Sequence, residues 1–251
     1  MDRKQRILEL LNEKEILYLK ELESEFPEVS NMTLRRDLNS LESMGEAIRI
    51  KGGVRSVKSL GGGEDVYDRR LAINAQAKAK IAALAVEYIE TGRSIFMDSG
   101  TTALALARLL PDTNLSILTS SPHVALTVLK KYLPTVNMIG GQLNRLNATV
   151  CGSQAIDFVK GYNFDVAFVV PSAFSLENGL SCGNDSECEL KKYIIQNASL
   201  KIALVDLGKF GKSMPFTFAS FADINVLITD SEPAEEVRKF ADEHDIKIIY
   251  K

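Results

Sequence analysis

The sequence predicts an α/β chain in two parts: a short helical head closed by a β-hairpin, then a larger, mainly parallel α/β domain. Three observations carry that expectation. Residues 3–56 hold three short amphipathic stretches, then two strand candidates around a Gly-Gly pair. A Gly61-Gly62-Gly63 run follows, which neither a helix nor a strand favours. Beyond it, short apolar runs alternate with amphipathic stretches of helical period as far as the C-terminus, the pattern of a parallel sheet covered on both faces.

Taken in order, Ile7, Leu8, Leu10 and Leu11 cluster on one face of a helix over 3–12. A second helix fits 20–26, with Leu19, Leu22 and Phe26 at helical spacing and Pro27 as its stop. Ser30 reads as an N-cap with Thr33 three residues on. The helix it opens runs to about residue 44, turns Leu34, Leu38 and Leu41 inward, and ends at Gly45. Residues 46–50 and 54–58 read as strands joined by a tight turn at Gly52-Gly53. Three short helices and a hairpin outline a winged helix-turn-helix over 1–58. Residues 59–66 read as a flexible linker, and 67–251 as the second domain. There a helix is expected over 67–89, strands at 94–98, 115–119, 136–139, 165–170, 201–206, 225–229 and 247–250, and helices at 101–110, 122–132, 153–159, 187–198 and 233–243.

Bulk composition excludes several classes. Hydrophobic residues make up 45% and charged residues 25% of 251, ordinary for a soluble globular protein. No apolar run reaches the roughly 18 residues a membrane span needs, and the N-terminus lacks a signal-peptide pattern, so a cytoplasmic protein without a membrane partner is expected. Cys151, Cys182 and Cys188 are odd in number and outside any CxxC spacing, and there are only two histidines, His123 and His244. Free thiols are therefore expected, with no metal and no cofactor. The net charge of −3 hides a division. Residues 1–30 carry five basic and eight acidic groups, residues 31–58 six and three, and residues 61–251 nineteen and twenty-two. The segment 31–58 thus holds a net +3, and phosphate attraction acts over about 8–10 Å, so the local excess outweighs the total.

That excess sits on the third helix and the hairpin. Leu34, Leu38 and Leu41 bury one stripe, so Asn31, Met32, Thr33, Arg35 and Arg36 project from the N-terminal half, the part that enters a major groove in helix-turn-helix docking. Arg takes guanine bidentately and Asn does the same for adenine. Ser30 and Thr33 hydroxyls and the free N–H groups of the helix start suit phosphates. Arg49, Lys51 and Arg55 on the wing are placed to grip a flanking backbone. An Arg35-Arg36-Asp37 run alone also suits a solvated face with local ion pairs; the cap, the glycine stop and the basic wing tip the reading toward double-stranded DNA.

The stretch Val-Ser-x-x-Thr-Leu-Arg-Arg-Asp-Leu-x-x-Leu-Glu over 29–42, with Gly52-Gly53 beyond it, resembles the DNA-binding signature of the DeoR-type regulators of sugar metabolism. Lys51 stands where that family often has histidine, and keeps a basic group. The resemblance continues over nearly the whole chain. Arg70, Asn74, Lys78 and Ile81 match the family's interdomain helix, Asp98-Ser99-Gly100-Thr101-Thr102 its Asp-x-Gly-Thr-Thr loop, Gly140-Gly141 its paired glycines, and Gly208-Lys209-Phe210-Gly211 its Ser-Lys-Phe-Gly element. It implies a sensor domain similar in fold to sugar-phosphate isomerases, a phosphorylated sugar or related metabolite as effector, and dimers or tetramers formed through that domain. Pro171-Ser172-Ala173 and Ser120-Ser121-Pro122 depart from the family's usual sequence, and both segments bear on effector identity.

The loop at 98–102 makes a case without the family. A strand ends at Ser99-Gly100 and a helix starts with Thr101-Thr102; free N–H groups, a glycine and hydroxyls together make a phosphate cradle, at the strand ends where open α/β sheets bind ligands. Lys209, just after another strand, reaches the same edge and supplies a cation. Asp185 and Glu187 suit two roles equally, hydrogen bonds to sugar hydroxyls or first-turn charges favoured by the helix dipole. An isomerase would need a general base and an electrophilic partner, and Asp98, Asp185, Glu187 and Lys209 are available in type. An isomerase has no use for a DNA-reading head, and the basic face argues against a protein-binding adaptor. The expectation is a DNA-binding regulator of carbohydrate or polyol metabolism, a repressor rather than an enzyme.

Overall fold

The computed structural model describes residues 3–44, 46–56 and 67–251, and the chain divides into two units, Met1–Arg70 and Leu71–Lys251. The expected helix stop at Gly45, the last wing residues 57–58 and the linker at 59–66 lie outside the described residues.

In the first unit, α1 (Arg3–Lys14), β1 (Ile16–Tyr18), α2 (Leu19–Glu25), α3 (Asn31–Ser43), β2 (Ala47–Ile50) and β3 (Gly53–Ser56) follow one another. Ser30 caps α3 as its sequence directs: its backbone is extended and its hydroxyl accepts from the Thr33 N–H. Ile7, Leu10, Leu11, Leu17, Leu22, Leu34, Leu38, Leu41, Ala47 and Val54 close a single core. The strand β1 was not expected. It follows Glu15 at φ 62° and pairs antiparallel with β3, making a three-stranded sheet in the order β1-β3-β2. Its presence moves the turn, since Gly53 now begins β3 instead of ending the loop. A Cβ there would sit 2.4 Å from the Leu17 carbonyl oxygen, so only glycine lets β3 lie against β1.

A correction falls where the first unit gives way to the second along the chain. The helix expected over 67–89 is broken into α4 (Tyr67–Ala72) and α5 (Ala75–Ala85), followed by one 3-10 turn over Val86–Tyr88. Asn74 adopts a left-handed conformation, φ 52°, which no helix interior accommodates. Then come β4 (Ser94–Met97), α6 (Thr101–Leu109), β5 (Ser116–Thr119), α7 (Pro122–Val128), β6 (Thr135–Met138), β7 (Gln142–Asn144), β8 (Thr149–Cys151), α8 (Ser153–Val159) and β9 (Phe164–Val169). The chain ends with β10 (Ala173–Ser175), β11 (Gly179–Cys182), α9 (Asp185–Asn197), β12 (Ala198–Leu204), β13 (Phe216–Ala219), β14 (Val226–Ile228), α10 (Glu235–Glu243) and β15 (Lys247–Ile249).

All seven expected strands form one sheet in the order β15-β14-β12-β9-β4-β5-β6, and every pairing in it is parallel. Alternation along the strands splits the core into two layers. Phe96, Leu118, Ala167, Val169, Ala203 and Leu227 pack with residues of α8, α9 and α10, while α5 and α6 pack on each other with Ile81, Ala82, Ala85, Ala103 and Leu106 buried. A small antiparallel sheet, β10-β11-β13, and the β7-β8 hairpin complete the unit. The chain runs outward from β4 through β5 to β6, then returns to β9 on the other side of β4. The gap between the ends of β4 and β9 is therefore the topological switch point, where open α/β sheets hold their ligands.

Candidate functional site

On the first unit the N-terminal half of α3 is bare. Asn31, Met32, Arg35 and Arg36 are exposed, Met32 by 82%, and Thr33 is half-buried. The sequence left open whether Arg35-Arg36-Asp37 pairs locally. Asp37 turns inward instead and takes Arg3 of α1 at 2.6 Å. Among the described residues neither Arg35 nor Arg36 forms an ion pair; Arg35 donates to the Asn31 side chain at 3.0 Å, and the Asn31 amide in turn donates to Glu23. Arg49 and Lys51 are exposed on the wing and Arg55 is half-buried. Arg35 and Arg49 line one shallow hollow of about 190 Å³ with Leu19, Ile50, Gly52 and Gly53. Helix and wing thus present their guanidinium groups on one face.

On the second unit the switch point gathers most of the expected effector residues. Gly100 caps α6 at φ 113°, a conformation that favours glycine, and a Cβ there would touch Val170 at 3.4 Å. Thr101 and Thr102 supply the first turn and are buried. Among the described residues the Thr102 hydroxyl has no hydrogen-bond partner, and neither has that of Ser120, just past β5. Lys209 reaches the same edge, its ammonium donating to the Pro171 carbonyl at 2.7 Å. Gly140 is open, whereas a Cβ on Gly141 would meet the Cys151 carbonyl oxygen at 2.8 Å, so Gly141 lets the chain pass close to β8.

Beneath the loop lies a buried charge cluster that the sequence did not disclose. Asp98 is 1% exposed; it accepts from the Ser99 and Val170 N–H groups, both at 2.7 Å, and pairs with Lys191 at 3.0 Å. Lys191, also 1% exposed, pairs with Glu187 at 2.7 Å and donates to the Val170 carbonyl at 2.8 Å. Asn147 donates to Glu187, and Thr149 to Ser99. Burial pushes the Asp98 carboxyl above the ordinary carboxylate range and Glu187 adds to it, against the pull of Lys191. Burial pulls the Lys191 ammonium down, and Asp98 and Glu187 more than offset that, holding it charged. Two carboxylates share one ammonium, and the group locks the 98–102 loop to β9 and α9. Glu187 therefore spends its carboxylate inside the protein, while Asp185 stays exposed in the first turn of α9.

Lys191, Asn147 and Thr149 were missed, whereas Ser120 lies in a segment the sequence already tied to effector identity. Lys191 left a signal, because it shares a stripe with Glu187, Leu190 and Ile194. His123 is exposed in the first turn of α7, on a cavity of about 490 Å³ with Arg108, Lys130 and Lys131. His244 stacks on Phe240 with ring centroids 4.0 Å apart. All three cysteines are buried and free, and burial raises each thiol above its ordinary range, which makes them poor nucleophiles. Among the described residues no helix is long and apolar enough to cross a membrane.

A helix-turn-helix head with a basic face, followed by an α/β domain with a glycine- and hydroxyl-bearing loop at its strand ends, defines a DNA-binding transcription regulator with a small-molecule sensor. Two family models match the chain, a DeoR-like helix-turn-helix domain over residues 3–60 and a DeoR C terminal sensor domain over residues 73–231. The chain belongs to the DeoR family of transcription regulators. It is 34% identical, over 91% of its length and 89% of the relative's, to the HTH-type transcriptional regulator GlpR of Haloferax volcanii. Identity is 30% with the putative aga operon transcriptional repressor of Escherichia coli O157:H7, over 91% and 86% of the two chains. It is 29% with the glycerol-3-phosphate regulon repressor of Escherichia coli K12, over 96% and 95%. Among solved structures, ribose 5-phosphate isomerase A of Methanocaldococcus jannaschii superposes on 55% of either chain, with a TM-score of 0.41 and 19% identity. That likeness is slight; the architecture rests on the seven parallel strands themselves.

Proposed function

We propose that the protein is a cytoplasmic repressor of a carbohydrate or polyol operon, and that a phosphorylated sugar or related metabolite at the switch point controls its hold on operator DNA. No cofactor enters this reading. Relatives named as repressors of the aga operon and of the glycerol-3-phosphate regulon support it. The heads of a dimer or tetramer, joined through the second units, meet half-sites about one helical turn apart or a multiple of that.

The observation that carries the effector reading is two buried hydroxyls, on Thr102 and Ser120, that have no hydrogen-bond partner among the described residues. A buried hydroxyl without a partner costs about 1–3 kcal/mol, and such groups at the start of a helix, with Lys209 on the same edge, suit a phosphate ester. Thr102→Val tests this, because valine keeps the shape and removes the hydroxyl. Without ligand the variant should be as stable as the parent or more so, since no bond is lost. With glycerol 3-phosphate, ribose 5-phosphate and other phosphorylated sugars screened by thermal shift, the parent should rise by about 5–10 °C at a hundredfold excess over Kd. The variant should need at least about tenfold more of the same ligand, roughly 1.4 kcal/mol. No shift with any phosphate ester, or an equal shift in both proteins, removes the site.

A further inference from the structure

The break at Asn74 is tied to the effector edge by a short chain of polar contacts. The Asn74 amide donates to Asp206 Oδ1 at 2.8 Å. The other carboxylate oxygen of Asp206 faces the Lys209 ammonium at 3.8 Å, and that ammonium donates to the Pro171 carbonyl at 2.7 Å. Pro171 follows directly on Val170, which lies against Gly100 of the α6 cap. From the other side the break is pinned by Lys78, whose buried ammonium donates to the Ile73 carbonyl at 2.6 Å. Gly208 leaves room for the Asn74–Asp206 bond, for a Cβ there would sit 2.8 Å from the Asn74 amide nitrogen and 2.9 Å from Asp206 Oδ1.

We infer that Asn74 and Asp206 are positioning residues that convert occupancy of the effector site into a change at the α4–α5 break. This rests on the effector site proposed above. An anionic ligand at the start of α6 competes with the Pro171 carbonyl for the Lys209 ammonium. As the ammonium turns toward the ligand it moves away from Asp206, whose carboxylate is then less neutralised and holds the Asn74 amide more tightly. The left-handed kink between α4 and α5 stiffens, and that kink lies on the stretch of chain leading back to the DNA-binding unit. A ligand shifts DNA binding only through such a difference between two states.

Two variants separate the relay from the site. Asn74→Gly removes the amide and keeps the left-handed backbone without strain. Gly208→Ala wedges a methyl between two side-chain ends, which can part at small cost. Both are made in the full chain, and DNA affinity is measured with and without the phosphate ester that gives the largest thermal shift in the parent. The parent should show a ligand-induced change of at least about fivefold, within the usual span of allosteric coupling. In both variants that change should fall to within about twofold, while the ligand-induced thermal shift and the ligand-free DNA affinity stay within about twofold of the parent. A merely structural peg would lower stability and leave the coupling ratio alone, and that result overturns the relay. A full response in both variants overturns it too. A parent whose melting temperature no ester moves overturns the effector site and this inference together.

Discussion

Lys191→Met should destabilise the second unit by about 3–5 kcal/mol, the usual cost of removing one partner from a buried ion pair. Methionine fills a similar volume, so the loss is electrostatic. Asp98 and Glu187 would face each other across the loop without their shared cation, and the Val170 carbonyl would lose its donor. Asp98, already pushed above the carboxylate range by burial, would take up a proton. Urea unfolding of the full chain measures the effect, with the triple variant Asp98→Asn, Glu187→Gln, Lys191→Met as its partner. The triple variant should lose less than the single one, because it leaves no charge stranded. A loss under about 1 kcal/mol for Lys191→Met, small beside that cost, would mean the cluster does not hold the loop.

Leu38→Ala should abolish DNA binding by unfolding the first unit alone. Leu38 is fully buried on α3 beside Leu34 and Leu41, and such truncations cost about 2–5 kcal/mol. A unit of this size holds roughly 3–5 kcal/mol in all, so the substitution consumes most of its stability. The second unit has its own core and should keep both its melting transition and its ligand-induced shift. Retained DNA binding, or collapse of both units in one transition, would contradict the division of labour between head and sensor.

Most of the sheet was legible because strands buried on both faces read as continuous apolar runs, as Ile95-Phe96-Met97 and Val226-Leu227-Ile228 do. The recognition helix was equally plain, since Ser30 and the leucine stripe mark its start and its inner face. What escaped notice had weak local chemistry. β1 is three residues long and lies between helices, and β10, β11 and β13 carry Ser175, Gly179, Ser181 and Thr217 where a strand pattern calls for bulky side chains. The break at Asn74 leaves no mark in periodicity, because Ile81 continues the apolar register past it. Lys191 went unremarked, because its pairing with Asp98, from a strand end 93 positions earlier in the sequence, leaves no trace in local spacing. Likewise Asp37 found Arg3 across the core rather than its neighbours.

The central claim is that the α3 and wing face grips a duplex and that an anion at the switch point tunes the grip. It is tested most directly by measuring Kd for the DNA upstream of the protein's own coding sequence across a salt series, for the parent and Arg36→Ala, with and without a phosphate ester. The account predicts specific binding in the parent, a loss of about 1–3 kcal/mol or a salt slope lower by about one in Arg36→Ala, and a ligand-dependent shift in both. Weak binding that is indifferent to sequence, unchanged by Arg36→Ala and unmoved by every ester, would contradict it.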